Sequence, residues 1–151
     1  FGAAHIGIAG EDVIKEFNFS EVYAPLNLNV GHCKISIAAL KSLLSKEDPD
    51  TWSNIRIATK YPNITKNYFA EKGVQVEIIK LSGSMELAPT LNMCRRIVDL
   101  VSTGKTLKEN GLVEVEKIMD IQSKLIVNRS TYKTDMNRIK KVINEFEKIV
   151  S

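Results

Sequence analysis

One short segment, Asp99 to Leu107 with the sequence DLVSTGKTL, combines residue types and an order that suit phosphate binding. An apolar stretch ends there in a turn of small, hydroxyl and basic residues: Ser102, Thr103, Gly104, Lys105 and Thr106. A glycine turn between a strand and a helix directs several backbone N–H groups, and the positive end of the helix dipole, at one point. The carboxylate of Asp99 would repel a phosphate but suits sugar hydroxyls or a metal. The segment therefore predicts a site for a phosphate carried on a sugar.

The same segment permits two other interpretations. A nucleoside-triphosphate P-loop requires a glycine five residues before Gly104, and that position is Asp99, so this interpretation is disfavoured. A helix start capped by Ser102 or Thr103, with no ligand, fits the spacing as well as a phosphate site does. Spacing alone leaves the phosphate site and the plain helix start open.

A few other polar residues stand where a ligand could meet them. Glu86 opens a helix-like segment, where an acid is commonly present because the helix dipole favours it, although a substrate contact is the alternative. Lys60 and Tyr61 follow a predicted strand, and a solvated turn is the default interpretation. His5 and His32 have no acid or nucleophile near them in sequence, so neither is assigned a catalytic role. We assign no catalytic residue and no metal ligand.

Alternating strand-like and helix-like segments place the turn in an α/β protein with largely parallel sheets. Strands are predicted at 6–9, 26–30, 34–40, 55–59, 74–79, 97–101, 113–121 and 124–128, and helices at 11–17, at 64–72, from 85 and at 136–150. In parallel sheets, ligands bind at the carboxyl ends of the strands. The segments 59–61, 82–84 and 102–106 all follow strands, so we expect that they could share one crevice.

Length and composition narrow the class of protein. The 151 residues, 44% hydrophobic and 26% charged, are enough for one substantial core or two small lobes. A net charge of +3 without a basic stripe argues against a nucleic-acid partner, and no apolar run is long enough for a membrane helix. Cys33 and Cys94 lack metal-type spacing and predict free thiols in a reducing, cytoplasmic setting. Because a strand already begins near residue 6, we expect that a piece of the protein precedes Phe1.

From Gly83 onward the sequence GSMELAPTLNMCRRIVDLVSTGKTLKENGLVEVEKIMDIQSKLIVNR resembles ATP phosphoribosyltransferase. The resemblance extends back through ATKYPNITKNYFAEKGVQVEIIKLSGS to the opening GAAHIGIAGEDV. The family signature runs from a glutamate, here Glu86, to an Asp-x-x-x-Thr-Gly-x-Thr-Leu turn, here Asp99 to Leu107. This match is long and specific, and it covers nearly the whole chain.

The resemblance implies an α/β fold of two lobes, like that of type II periplasmic binding proteins, with mixed sheets flanked by helices. It implies that residues 1–33 and 122–151 belong to the first lobe. Residues 34–121 would form the second lobe, which carries the turn. A piece of the first lobe would lie upstream of Phe1 and supply basic residues for ATP and pyrophosphate.

The resemblance also implies the chemistry of the short-form catalytic subunit. Phosphoribose passes from phosphoribosyl pyrophosphate to N1 of ATP, and pyrophosphate leaves with Mg²⁺ present, in the first step of histidine biosynthesis. By analogy, Asp99 faces the ribose, Glu86 is a further substrate contact, and the turn with its neighbour Leu107 binds phosphoribosyl pyrophosphate. The implied assembly is a homodimer that associates with a regulatory subunit resembling histidyl-tRNA synthetase.

The chain departs from the family pattern at a few positions. The family usually has aspartate at His5, glycine at Asn92, and a small residue followed by aspartate at Cys94 and Arg95. These departures, with the expected loss of a piece upstream of Phe1, favour an alternative: a non-catalytic module of the same fold that binds a small ligand or serves as a subunit of a complex.

Overall fold

A computed structural model describes residues 6–17 and 22–150. His5 lies outside the described residues. The chain divides into two compact units, one made of Phe1–His32 and Ile121–Ser151, the other of Cys33–Asp120. Among the described residues, no helix has the length and apolar character needed to cross a membrane.

The helices and strands are numbered in chain order. They are β1 (Ile6–Gly10), α1 (Glu11–Phe17), β2 (Val22–Asn27), β3 (Cys33–Leu40), α2 (Lys41–Leu44), β4 (Asn54–Thr59), α3 (Pro62–Glu71), β5 (Gln75–Lys80), β6 (Arg96–Val101), α4 (Lys105–Glu109), β7 (Leu112–Ile121), β8 (Ser123–Asn128), α5 (Arg129–Thr134) and α6 (Met136–Val150). Single 3₁₀ turns lie at Pro49–Thr51 and Met85–Leu87.

In the first unit, β8 lies between β1 and β2 and runs antiparallel to both. Its inward side chains, Leu125 and Val127, are fully buried. In helix α6, Ile139 is buried and Phe146 is half-buried, while the charged positions between them are exposed. An apolar stripe of this spacing stabilises a helix because one face leaves water on packing.

The second unit contains a mixed sheet with the strand order β5-β4-β6-β3-β7. Strand β4 is parallel to β5 and β6, whereas β3 is antiparallel to β6. The expectation of largely parallel sheets is therefore wrong, because the first unit's sheet is antiparallel and the second is mixed. Alternation of apolar segments shows that strands exist, but it does not encode the direction in which each enters its sheet.

Strand β6 leads to the predicted turn, and none of its residues is exposed. Ile97 and Val98 are completely buried, as expected for a strand with both faces packed. Val101 at the end of β6 and Leu107 in α4 belong to the same hydrophobic cluster. The turn is thus held at both ends by side chains that anchor in one core.

Local backbone geometry explains where several predicted elements begin and end. The predicted strand 26–30 is instead β2, which ends at Asn27, because Asn29 and Gly31 have positive φ angles of 56° and 67°. Gly73 closes α3 in the left-handed conformation that is common just after the last turn of a helix. The helix predicted from Met85 is only a 3₁₀ turn.

Candidate functional site

The sequence-predicted site residues all line one pocket of the second unit. Its cavity volume is about 220 Å³, and it is bounded by Glu86, Asp99, Leu100, Val101, Ser102, Thr103, Gly104, Lys105, Thr106 and Leu107. Glu86 reaches this pocket from the 3₁₀ turn Met85–Leu87, where Met85 is buried in the hydrophobic cluster below β6. A residue 13 positions upstream of Asp99 is therefore brought to the same cavity by core packing.

The turn begins helix α4 with a glycine rather than with a side-chain cap. Gly104 is the N-cap residue with φ 78°, and it makes no side-chain capping bond. Capping of this helix by Ser102 or Thr103, the alternative with no ligand, is therefore not what the structure contains. The Lys105 N–H does point to Thr103 Oγ1, but at 3.4 Å, which is long for a hydrogen bond.

Space beside the turn is open. A Cβ atom placed on Gly104 would meet no other atom within 4 Å, and the side chains of Ser102, Thr103 and Thr106 are exposed. The left-handed φ angle is the reason that glycine is needed here, since side chains are strained in this region. The result is a concave backbone with hydroxyl groups around it, which is suited to an anion.

Asp99 supplies a carboxylate that is partly removed from water. Its Oδ1 accepts a hydrogen bond of 2.8 Å from the Leu100 N–H. Burial raises the pKa of Asp99, and the negative charge of Glu86 raises it further, whereas this hydrogen bond and the positive charge of Lys60 lower it. The pocket therefore holds two electrostatically coupled acids with a lysine nearby.

The structure separates the roles of Lys60 and Tyr61. Lys60 follows β4, the parallel neighbour of β6, and its Nζ lies 5.3 Å from the centre of the Tyr61 ring. Tyr61 is buried, and its N–H donates to Thr59 Oγ1 at 3.0 Å, so it belongs to the core. Sequence reasoning missed the electrostatic contact between Lys60 and Asp99, although the position of Lys60 at a strand's carboxyl end was a usable signal.

In the described part of the chain, His32 lies outside the pocket, and no cluster of side chains could hold a metal ion. His32 Nε2 and Asn29 Oδ1 are 2.8 Å apart at an exposed position, which makes His32 a turn residue. Within residues 6–17 and 22–150, no group of three or more His, Cys, Asp or Glu side chains could hold a metal ion. Of the three segments expected to share one crevice, only 102–106 lines this pocket, while residues 59–61 and 82–84 do not.

A family model described as HisG, ATP phosphoribosyltransferase, matches residues 1–148 of this chain. The chain belongs to the ATP phosphoribosyltransferase family. Enzymes of that name from Rhodospirillum rubrum and Geobacter metallireducens are 58% and 55% identical over 146 and 150 residues, which is 97% and 99% of this chain. These alignments cover 64% and 70% of the two relatives, so the chain spans about two thirds of their length.

Solved structures agree with this family and with the fold predicted for it. The ATP phosphoribosyl transferase (HisG:HisZ) complex from Thermotoga maritima superposes with a TM-score of 0.85 at 34% identity, over 99% of this chain and 71% of that one. The alkanesulfonate-binding protein SsuA from Xanthomonas axonopodis gives a TM-score of 0.59 at 12% identity, over 97% and 55%. The predicted α/β fold of the periplasmic-binding-protein type is confirmed for this ATP phosphoribosyltransferase homologue.

Proposed function

We propose that the protein containing this chain transfers phosphoribose from phosphoribosyl pyrophosphate to N1 of ATP, giving phosphoribosyl-ATP and pyrophosphate, as the first step of histidine biosynthesis. The observation that supports it most directly is the pocket in which Asp99, Glu86 and the Gly104 turn come together, in a chain of this family. The 220 Å³ volume suits the phosphoribosyl part of the substrate rather than the whole of both substrates.

The turn is proposed to hold the 5′-phosphate of the sugar. The first N–H groups of α4 have no partner inside the helix, and the space beside Gly104 at its start is open. The exposed hydroxyl groups of Ser102, Thr103 and Thr106 can donate further hydrogen bonds, and Lys105 adds a positive charge. Hydrogen bonds to a charged phosphate are among the stronger ones in proteins.

The two acids are proposed to act on the sugar ring. The Asp99 carboxylate accepts hydrogen bonds from the ribose hydroxyls, and Glu86 lies on the same cavity. As pyrophosphate leaves, the reacting carbon becomes positively charged, and fixed carboxylates stabilise that charge without reorganising. The reaction then depends on positioning of two substrates and on electrostatics, so it needs no general acid or base from this chain.

Mg²⁺ is proposed to accompany the pyrophosphate group. The pocket offers two carboxylates, Glu86 and Asp99, and no larger ligand set occurs in the described ranges. Mg²⁺ usually keeps several waters and binds through phosphate oxygens with one or two carboxylates, so this donor set fits an ion held mainly by pyrophosphate. The ion would neutralise charge on the leaving group.

For the assembly, we propose a homodimer of the catalytic chain that binds a regulatory subunit resembling histidyl-tRNA synthetase. The Thermotoga maritima relative, solved as a HisG:HisZ complex, supports a second type of subunit. Neither Cys33 nor Cys94 forms a disulfide, which suits a reducing cytoplasm.

Binding of phosphoribosyl pyrophosphate to the full-length protein tests the site by calorimetry. We expect Gly104→Val to abolish binding and Thr106→Val to weaken it about tenfold. Gly73→Val is the matched control, because Gly73 has φ 72°, has the same open space around its Cβ position, and lies at the end of α3 outside the pocket. Parent-like affinity in both turn variants would contradict the site.

Turnover distinguishes the enzyme from the non-catalytic alternative. We expect the full-length protein, assayed with ATP, phosphoribosyl pyrophosphate and Mg²⁺, to release pyrophosphate. Binding of phosphoribosyl pyrophosphate without release would instead support a ligand-binding module of the same fold. The non-catalytic alternative is tested because the chain departs from the family pattern at Asn92, which has a left-handed φ of 58° where the family usually has glycine.

A further inference from the structure

A second cavity of the second unit lies at the opposite end of β6. Its volume is about 550 Å³, and it is lined by Leu40, Arg56, Pro89, Asn92, Met93, Cys94, Arg95 and Arg96. It shares no lining residue with the pocket around Gly104. Because a strand rises about 3.3 Å per residue, the two ends of β6 are about 17 Å apart. The proposed transferase chemistry makes no use of this cavity, which we call the arginine pocket.

The lining of the arginine pocket contains three guanidinium groups and no acidic side chain among the described residues. Arg95 is exposed and has no ion-pair partner within the described part of the chain. Arg56 contacts Glu77 at 3.2 Å, but both side chains are more than half exposed, so this pair contributes little. Arg96 is bound to Glu47 at 2.6 Å, and its Nε is buried without a hydrogen-bond partner.

The charged groups of this cavity affect the pKa of Cys94 and of Arg96. Burial raises the pKa of Cys94, while backbone hydrogen bonds and the charges of Arg56 and Arg96 lower it, and all three residues line the same cavity. Burial lowers the pKa of Arg96, and repulsion from Arg95 lowers it further, against the opposite effect of Glu47. The arginine side chains of this cavity therefore outnumber their acidic partners. A bound anion would reduce the repulsion between them.

Apolar side chains complete the cavity. Pro89 is buried, Leu40 and Met93 are half-buried, and together they form a wall beside the charged groups. Cavities that bind small molecules commonly combine such a wall with a few polar groups that fix the orientation. Guanidinium groups bind phosphate and carboxylate through paired hydrogen bonds.

We propose that the arginine pocket is a second ligand site, which binds a small organic anion with a compact apolar body. Arg95 and Arg56 bind the phosphate or carboxylate group, and the wall formed by Leu40, Pro89 and Met93 receives the apolar body. Arg96 adds to the positive potential from its buried position, where Glu47 and the Trp52 ring at 4.3 Å hold it.

Calorimetric titration of the full-length protein with phenyl phosphate tests this site, with benzoate as the carboxylate probe and benzyl alcohol as the uncharged one. We expect phenyl phosphate or benzoate to bind and benzyl alcohol to bind at least tenfold more weakly. Arg95→Gln should weaken anion binding about tenfold, and Arg56→Gln by a similar factor, since each removes one charge-assisted contact. Arg95→Lys, which keeps the charge, should recover part of the affinity.

Thr106→Val separates this site from the turn that is proposed to bind phosphoribosyl pyrophosphate. We expect Thr106→Val to bind phenyl phosphate like the parent, and Arg95→Gln to bind phosphoribosyl pyrophosphate like the parent. The proposal is overturned if no anion binds at millimolar concentration, or if Thr106→Val loses phenyl phosphate while Arg95→Gln keeps it. The second result would place the phosphate in the turn and leave the proposed transferase function intact.

Discussion

The two ends of strand β6 each carry a cavity, and the groups that could bind an anion differ between them. At the carboxyl end, Gly104 and the start of α4 present backbone N–H groups, and the acids Asp99 and Glu86 stand beside them. At the amino end, the positive charge comes from arginine side chains. A site made of backbone is fixed by conformation, whereas a site made of side chains is fixed by residue identity. Substitutions should therefore have different consequences at the two ends.

The largest expected effect is on catalysis at the carboxyl end. Asp99→Asn keeps the shape of the side chain but removes the charge that we propose faces the ribose. We expect about a hundredfold lower turnover with phosphoribosyl pyrophosphate and ATP, the usual consequence of losing one preorganised electrostatic group. Steady-state pyrophosphate release measures it, and Asp120→Asn, an exposed acid outside the pocket, is the control. Equal turnover in the two variants would remove Asp99 from the proposed mechanism.

Stability at the amino end depends on one ion pair much more than on its neighbour. The side chain of Arg96 is 9% exposed and that of its partner Glu47 is 36% exposed, whereas Arg56 and Glu77 are 53% and 64% exposed. Glu47→Gln leaves a buried guanidinium without its counter-charge and should lower the free energy of unfolding by about 1–3 kcal/mol. Glu77→Gln should change it by less than about 0.5 kcal/mol.

Urea unfolding of the two glutamine variants measures this difference in the free energy of unfolding. Similar losses in both would mean that Arg96 is not stabilised by Glu47 in solution. The arginine pocket would then lose the fixed position of its buried member, although Arg95 and Arg56 would still line it.

A smaller effect concerns the pH dependence of stability at the carboxyl end. Burial raises the pKa of Asp99 above its ordinary value of 3.8 in the folded protein. Between the ordinary and the raised pKa, the unfolded chain has lost this proton while the folded protein keeps it. The contribution of Asp99 to the free energy of unfolding therefore falls as pH rises through this window and stays low above it.

Asp99→Asn has no such dependence, so we expect it to be more stable than the parent at pH 7. The difference should disappear at pH 2.5, more than one unit below the ordinary pKa of 3.8, where the aspartate is protonated in both states. Urea unfolding at both pH values measures it. A variant that is less stable than the parent at pH 7 would show that the Leu100 N–H and the charge of Lys60 outweigh the burial of Asp99.

Patterns along the chain predicted the carboxyl end of β6 better than the amino end. The apolar stretch, the glycine and the hydroxyl residues of 99–107 are adjacent in sequence, so strand, turn and helix could be read in order. The amino-end cavity combines residues from β4, from the end of β3 and from the segment 89–96, which only the sheet order brings together. The direction of β3 beside β6 has no signal in the pattern of apolar residues.

Glu86 shows the same limit on a smaller scale. Its sequence context predicts a helix start stabilised by the dipole, yet Ser84 has φ 54° and only a 3₁₀ turn forms. The presence of Glu86 at the pocket follows from the burial of Met85 in the core, a tertiary effect. The family resemblance pointed to Glu86 where local propensity did not.

The smallest expected effect concerns a buried hydroxyl at the carboxyl end. Ser36 of β3 stands opposite Asp99 of β6, is fully buried, and its Oγ has no hydrogen-bond partner. Such a hydroxyl loses its water contacts on folding and gains nothing in return. We expect Ser36→Ala to leave the affinity for phosphoribosyl pyrophosphate unchanged and to raise the free energy of unfolding by about 0.5–1 kcal/mol.

Thr59→Val is the matched comparison for Ser36→Ala, because Thr59 is equally buried but its Oγ1 accepts a hydrogen bond from the Tyr61 N–H. Removing that acceptor leaves a buried amide unpaired and should lower the free energy of unfolding by about 1–3 kcal/mol. Urea unfolding measures both changes in the free energy of unfolding. An increase in Ser36→Ala together with a decrease in Thr59→Val would show that the buried, unpaired hydroxyl opposite Asp99 costs stability. A loss of stability in Ser36→Ala would mean that this hydroxyl has a hydrogen-bond partner in solution, and Asp99 stands opposite it in register.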